Sequence, residues 1–393
     1  MITKIILQII LFSLLNGSIF SQAKSQSSDS LFYDSSRTNY QNALYQIKDK
    51  ANDDISNNRK NIITQTVEQV SPAIVGINVT EIRQYRDPFS NFFDDPFFRQ
   101  FFGNRGNNNQ EVKSLGSGFI ISSDGYIITN DHVAGNGSKI TITMTNGNHY
   151  DARIVGTDPV SDICLLKIDE NNLPYVTLGN SDDILIGEWV IALGNPFGLF
   201  ELNDQPTVTV GVISAREMNL EPIDGRYYLK MIQTDASING GNSGGALVNS
   251  IGEVIGMNTL IFTAGSQGSI GLGFAIPINK IKKIVAELKE RGVIDRGFDI
   301  GMRIQGIDDG IAKYYNLKDT KGVIVTQVMR NSPASKAGIE PGDIIIQVEN
   351  YKINNENIIQ GVFQEFRRDQ NIHIKILREG KELTLNMKLE KAS

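Results

Sequence analysis

With one cysteine, three histidines and one tryptophan in 393 residues, the chain is poor in the residue types that usually carry metal and redox chemistry. The single thiol, Cys164, cannot form an intrachain disulfide, so stability must come from packing in any redox compartment. It sits in the apolar stretch ICLLKI, where a cysteine is buried filler and not a nucleophile. His132, His149 and His373 are widely separated, and neither H-x-x-x-H nor C-x-x-C spacing occurs, so no metal and no cofactor is expected. The chain also lacks a G-x-x-x-x-G-K-[ST] run, which excludes substrate unfolding driven by nucleotide hydrolysis at a P-loop. Basic residues are outnumbered, 38 against 44, and form no long stripe, which argues against nucleic acid and leaves peptides and proteins as partners.

No apolar run is long enough for a comfortable membrane span. The longest near the start, Ile5 to Leu15, follows Lys4 and precedes Ser21-Gln22-Ala23, the layout of a signal peptide over residues 1–23. The expectation is export, by a secretory route that this layout alone does not specify, with membrane association only if that segment is retained. Residues 24–60 form a polar extension in which Tyr40, Leu44, Ile47, Ala51 and Ile55 recur at helical spacing; a short amphipathic helix and a mobile tether both fit.

From about residue 61 to 277 the pattern changes to short β-branched runs such as AIVGINV, KITITM, EWVIALG and TVTVGVISA. This is the rhythm of an all-β barrel or sandwich, and it is long enough for two barrels. Asp124-Gly125 and Asn146-Gly147 are tight-hairpin signals. The stretch PINKIKKIVAELKERG then reads as a linker helix within residues 278–294, with Pro277 at its start, Ile281, Ile284, Val285 and Leu288 on one face, and Gly292 at its end. Residues 295–393 return to short strands, with a helix near Ile358 to Phe366, and read as a small mixed domain. One insert stands apart: seven of the 18 phenylalanines fall within residues 87–102, interleaved with Asp94 and Asp95, and a subunit or regulatory contact is preferred there over core burial.

The stretch TDASINGGNSGGALVN frames Ser243 with Gly240, Gly241, Gly244 and Gly245. A flexible linker is one reading of such a run. The other is a nucleophile, since bare backbone pressed around a hydroxyl can offer N–H groups to an oxyanion. Gly241, Ser243 and Gly245 also satisfy G-x-S-x-G, but the α/β-hydrolase elbow needs its acid and histidine after the serine, and ALVNSIGEVIG reads as a hairpin. The order here is His132, Asp162, Ser243, which is that of the double-barrel serine proteases.

TNDHV, SDICLLKI and GNSGGAL, followed by GLGFAIP, resemble the HtrA (Deg) family of serine proteases, with a match covering about residues 60–390. The resemblance implies a mainly β chain: a chymotrypsin-like double β-barrel protease domain over residues 61–277 and a small α+β PDZ domain over 295–393. It implies a Ser-His-Asp mechanism in which Ser243 attacks, His132 moves the proton and Asp162, in preference to Asp158, orients the imidazole, with the N–H groups of Gly241 and Ser243 as the oxyanion hole. It places peptide binding along Gly256 to Leu260 as an added edge strand, through Asn258, Thr259 and Leu260, with Leu272 near the first specificity pocket.

In the last domain RGFDIGMRI and GVIVTQVMRNSPASKAGIEPGDIIIQVEN resemble a PDZ domain of the same family. This implies capture of peptide C-termini near Ile300, Gly301 and Met302. Four positions stand out, and the last three are departures from the family pattern. Asn242 stands where trypsin-like enzymes often carry an acid, which disfavours activation by N-terminal trimming. Gly240 and Ala246 replace prolines of the family's INPGNSGGPL, and Asp299 stands where an aromatic residue is common, so an acid would repel a bound carboxylate.

The resemblance implies ATP-independent digestion of misfolded or unfolded envelope proteins, in a bacterial periplasm or cell envelope, by a homotrimer or a higher multiple. The rivals are a chaperone or binding scaffold with little proteolysis and a membrane-anchored regulatory protease of an envelope stress response.

Overall fold

The computed structural model describes residues 59–82, 111–195, 205–259 and 271–391. The signal-like segment, nearly all of the polar extension and the phenylalanine-rich insert therefore lie outside the described residues. The described residues from Asn61 onward form one compact unit.

The unit opens with α1 (Ile62–Val70). Asn61 accepts the Thr64 N–H while its own N–H donates to the Thr64 hydroxyl, a reciprocal cap that fixes where the helix begins. The first barrel contains β1 (Ile74–Ile82), β2 (Glu111–Ile120), β3 (Tyr126–Thr129), the short α2 (Asp131–Ala134), β4 (Lys139–Met144), β5 (His149–Asp158) and β6 (Ile163–Ile168). It closes in the order β1-β2-β3-β6-β5-β4. Gly125 and Gly147, at φ +95° and +80°, make the hairpin turns that Asp-Gly and Asn-Gly signal. Alternating Val75, Ile77, Ile127, Ile142 and Leu166 fill the interior, and Cys164 is packed among them.

The second barrel contains β7 (Thr177–Leu178), β8 (Trp189–Gly194), β9 (Thr207–Met218), β10 (Met231–Thr234), β11 (Ala246–Asn249), β12 (Glu253–Thr259) and β13 (Gly273–Pro277). Its strands follow one another as β11-β8-β9-β10-β13-β12, and the antiparallel pairing of β11 with β12 closes the ring; β7 joins β12 from outside. The double barrel is chymotrypsin-like, as expected, and ALVNSIGEVIG is the hairpin β11–β12.

Next comes α3 (Ile278–Arg291), which starts after Pro277 and stops at Gly292, whose φ of +74° is left-handed and free of a Cβ penalty. Ile281, Ile284, Val285 and Leu288 bury the apolar stripe in the core shared by the two barrels. The helix end presses so close to β5 that a Cβ on Gly156 would meet the Gly292 carbonyl oxygen at 2.5 Å.

The last part comprises β14 (Met302–Gly306), α4 (Asp309–Tyr314), β15 (Val323–Val328), α5 (Pro333–Lys336), β16 (Ile344–Val348), β17 (Tyr351–Lys352), α6 (Glu356–Gln364), β18 (Asn371–Arg378) and β19 (Lys381–Lys388). The sheet order is β14-β15-β16-β18-β19, with β17 paired to β16. The helix expected near Ile358 to Phe366 starts two residues earlier because the Asn355 side chain caps it, accepting the Ile358 N–H at 2.9 Å.

Contacts between the barrels and this last part are specific. Leu229, from the segment between β9 and β10, is buried in the C-terminal core, and the same segment presents Tyr227 to Gly361 and Glu221 to Asn355 and Asn357. Lys280 pairs with Glu365, and Arg367 with Glu287. The tightest link is Arg296, whose guanidinium makes two 2.7 Å bonds to the Asp158 carboxylate while its Nε donates to the Gln364 carbonyl.

Asp158 is 2% exposed, so removing its partner leaves a buried, uncompensated carboxylate. Arg296→Met is expected to cost about 3 kcal/mol, read as a lower urea midpoint. A midpoint equal to that of the unaltered protein would show that the pair carries no net stability.

Candidate active site

Asn130 precedes α2 and places His132 in its only turn, while Asp162 sits between β5 and β6. Asp162 has φ +59°, a left-handed conformation costly for a residue with a Cβ, and it directs the carboxylate back toward α2. His132 Nδ1 lies 2.9 and 2.8 Å from the two Asp162 oxygens, and the His132 backbone N–H donates to Oδ1 at 3.0 Å. The Nδ1–H is thereby committed to the carboxylate, which leaves Nε2 as the nitrogen able to accept a proton. Asp158, the alternative acid, is held by Arg296 instead.

Asp162 is fully buried and collects further donors. Asn130 Nδ2 bonds its Oδ2 at 3.1 Å and its carbonyl at 3.0 Å, Tyr228 donates its hydroxyl to Oδ2 at 3.2 Å, and Thr259 does so at 3.3 Å. Arg226 Nε approaches Oδ1 at 3.5 Å. Burial works against ionisation, but the charge and hydrogen bonds of His132, with Arg226, outweigh it and hold the Asp162 carboxyl below the ordinary range. Burial drives the Tyr228 phenol well up, so it stays protonated and can only donate to the carboxylate. The Cys164 thiol is likewise pushed up by burial and is inert.

Ser243 lies on the loop before β11 and is 5% exposed. The loop is held from both barrels: Ser117 of β2 donates its N–H to the Ser243 carbonyl at 2.9 Å and its hydroxyl to the Gly241 carbonyl, while Gly244 N–H donates to Asn258. The Ser117 hydroxyl also accepts the Asn195 N–H at 2.7 Å. Gly244 has φ +82°, and a Cβ there would strike Ser117 and Thr129; Gly241 has φ +87°. These glycines permit the close approach of two barrels around one serine and are not a linker.

The other expected residues fall as follows. The carboxamide of Asn258 is turned inward, donating to Leu193 and Ala246, and Thr259 faces Asp162. The segment Gly256–Asn258 is bonded on both sides, to β13 and to β11 with its preceding loop, so that part of the expected Gly256-to-Leu260 strand is no open edge. Leu272 is exposed, and Leu260 lies outside the described residues. Asn242, in place of an acid, is buried with both side-chain polar atoms lacking a hydrogen-bond partner among the described residues. His149 bonds Thr143 and His373 pairs with Glu349, each away from His132, and no cluster among the described residues could hold a metal ion.

In the C-terminal domain β14 is an edge strand. Gly301, at φ +66°, precedes it, packed against Ser332, and Met302 is buried. The Asp299 carboxylate accepts the Gly301 N–H at 2.9 Å and so occupies a donor of this loop.

Sequence reading missed Asn130, Arg226, Tyr228 and Ser117 as members of the site. Asn130 lies inside the quoted TNDHV, but Arg226 and Tyr228 belong to a segment with no motif, and only the fold brings them to Asp162.

Models of two families match the chain, a trypsin-like peptidase domain over residues 116–257 and a PDZ domain over residues 299–389. A probable periplasmic DegP-like serine endoprotease of Chlamydia pneumoniae is 42% identical over 311 residues, 78% of this chain and 62% of that protein. The chain thus spans about three fifths of the length of that relative. A protein of the same description from Hahella chejuensis is 38% identical over 336 residues, 83% of this chain and 69% of that one. Among solved structures, the HtrA-type protease AlgW with a decapeptide is 36% identical with a TM-score of 0.61, covering 84% of this chain and 98% of that one. The serine endoprotease from Yersinia pestis is 32% identical with a TM-score of 0.54, covering 85% and 99%. With that coverage of a relative and of solved structures at such identity, the chain belongs to the HtrA family of DegP-like serine endoproteases.

Proposed function

We infer that this chain is an exported serine endopeptidase, acting without ATP on misfolded or unfolded proteins of the bacterial periplasm or envelope. The observation that carries the reading is the His132–Asp162 pair, whose tautomer is set by two short contacts, together with a serine held in a glycine loop by both barrels. Ser243 Oγ attacks the scissile carbonyl as His132 Nε2 takes its proton, Asp162 steadies the imidazolium, and the proton then passes to the leaving amine. The N–H groups of Gly241 and Ser243 receive the oxyanion. The relatives' description as periplasmic endoproteases supports the compartment and the reaction.

The division of labour in this reading is a protease domain over residues 61–277, a linker helix over 278–294 and a PDZ domain over 295–393. The PDZ loop at Ile300, Gly301 and Met302 receives a peptide C-terminus that adds to the open edge of β14. Assembly into homotrimers or multiples of them accords with the exposure of Leu185, Ile186 and Trp189 at and just before the start of β8. No helix among the described residues is long and apolar enough to cross a membrane.

Digestion of unfolded casein tests the reaction. Ser243→Ala is expected to lower kcat by on the order of 10⁶ with the fold kept, and Asp162→Asn to be strongly impaired but less so. Undiminished digestion by a clean Ser243→Ala preparation would remove the nucleophile assignment.

Calorimetry with a peptide bearing a free apolar C-terminus tests the PDZ loop. Because Asp299 both repels the ligand and occupies the Gly301 N–H, Asp299→Ala should bind about ten-fold tighter than the unaltered protein, with Asp299→Asn between them. Equal affinity for the free and amidated peptides would leave no carboxylate capture at this loop.

A further inference from the structure

Asp162 is not the only buried acid at the site. Asp131, the residue before His132, is 4% exposed and accepts a hydrogen bond from Thr157. Among the described residues one arginine faces both acids: Arg226 Nη2 lies 3.1 Å from Asp131 Oδ2 while its Nε lies 3.5 Å from Asp162 Oδ1, and the arginine side chain is 13% exposed. The arginine is held firmly. Asp224 and Gly225, at φ +51° and +76°, form the tight turn before it, its backbone pairs with Ile223 in both directions, and the next residue, Tyr227, donates its N–H to Val160 at 2.9 Å.

Resting on the protease reading above, we propose that Arg226 is a positioning residue for the catalytic pair: shared between Asp131 and Asp162, it fixes the Asp162 carboxylate against His132 and cancels the second negative charge. With His132 neutral, Asp131, Asp162 and Arg226 sum to one negative charge. When Oγ of Ser243 forms its bond to the carbonyl carbon and its proton moves to Nε2, the new imidazolium brings the cluster to neutrality. Without the guanidinium the same step would run from two negative charges to one, and the imidazole would gain its proton too readily before substrate arrives.

The neighbours agree with this accounting. Burial, with Asp162 beside it, holds the Asp131 carboxyl above the ordinary carboxylate range, and the Thr157 hydroxyl and the Arg226 guanidinium oppose that rise. Among the described residues, the other titratable groups facing the cluster are Tyr228 and Cys164, both kept protonated by burial. Asp158 at the end of β5 is already neutralised by Arg296.

The test is the rate at which a fluorophosphonate probe labels Ser243, followed between about pH 5 and pH 10 for the unaltered protein and for Arg226→Met, Arg226→Lys, Asp131→Asn and the double variant Asp131→Asn/Arg226→Met. Removing the cation should move the acid limb of the profile up by about one pH unit and slow labelling near neutrality about ten-fold. Removing the acid should move the limb down, the double variant should return toward the original position, and Arg226→Lys should lie between the original and Arg226→Met. Opposite shifts that cancel are the mark of a charge role, which loosened packing would not produce. An Arg226→Met limb at the original position, or a double variant no closer to it than either single one, overturns the proposal. If circular dichroism shows Arg226→Met unfolded, Asp131→Asn decides, and a limb that stays or rises overturns it. A wild-type protein that does not label fails the protease reading itself and the proposal with it, whereas a labelled wild type with unshifted variants fails the proposal alone.

Discussion

The structure turns on one carboxylate that water does not reach. A charge as deeply buried as that of Asp162 is tolerable only if nearly every lone pair is engaged, and no single element can supply so many donors. Asn130 and His132 come from the first barrel, Tyr228 and Arg226 from the segment between β9 and β10, and Thr259 from the end of β12. Satisfying the acid therefore requires both barrels to be in place. The same requirement orients the imidazole, so the constraint that binds the halves together also sets up the reacting group.

Ser117 plays the corresponding part for the serine. From one residue in β2, a backbone N–H, a carbonyl and a hydroxyl reach Ser243, Thr129, Gly241 and Asn195. The glycines on the other side of this contact are needed because side chains there would hold the barrels apart. The placement of Ser243 is thus a property of the seam between barrels, and the loop carries little of it alone.

Much of this was legible in the chain. The β-branched rhythm, the two Xaa-Gly turns, the Pro277-to-Gly292 helix and the order His132, Asp162, Ser243 each depend on local chemistry or on family motifs, and local chemistry survives in a one-dimensional string. What could not be read is non-local. Arg226 follows an ordinary Asp-Gly turn, and 63 residues lie between Asp162 and it; nothing in DGRYYL says that the turn points at an acid in the other barrel. Asp158 and Asp162 could not be separated by composition, because the difference between them is that Arg296 waits beside one and His132 beside the other. Within the expected edge strand Gly256 to Leu260, the two-sided pairing of Gly256 to Asn258 could not be read, because pairing partners are invisible until the barrel closes.

Leu229 has a consequence for how the molecule comes apart. Its chain position belongs to the barrels, yet its side chain completes the apolar interior of the C-terminal domain. A domain that borrows a core residue from its neighbour loses a packed leucine whenever the two separate, so separation opens a cavity and exposes apolar surface at once. Subglobal opening of the C-terminal domain and loosening of the β9–β10 segment are consequently one thermodynamic event. Slow amide exchange should report the two regions with a shared opening free energy, as a single foldon that crosses the domain boundary.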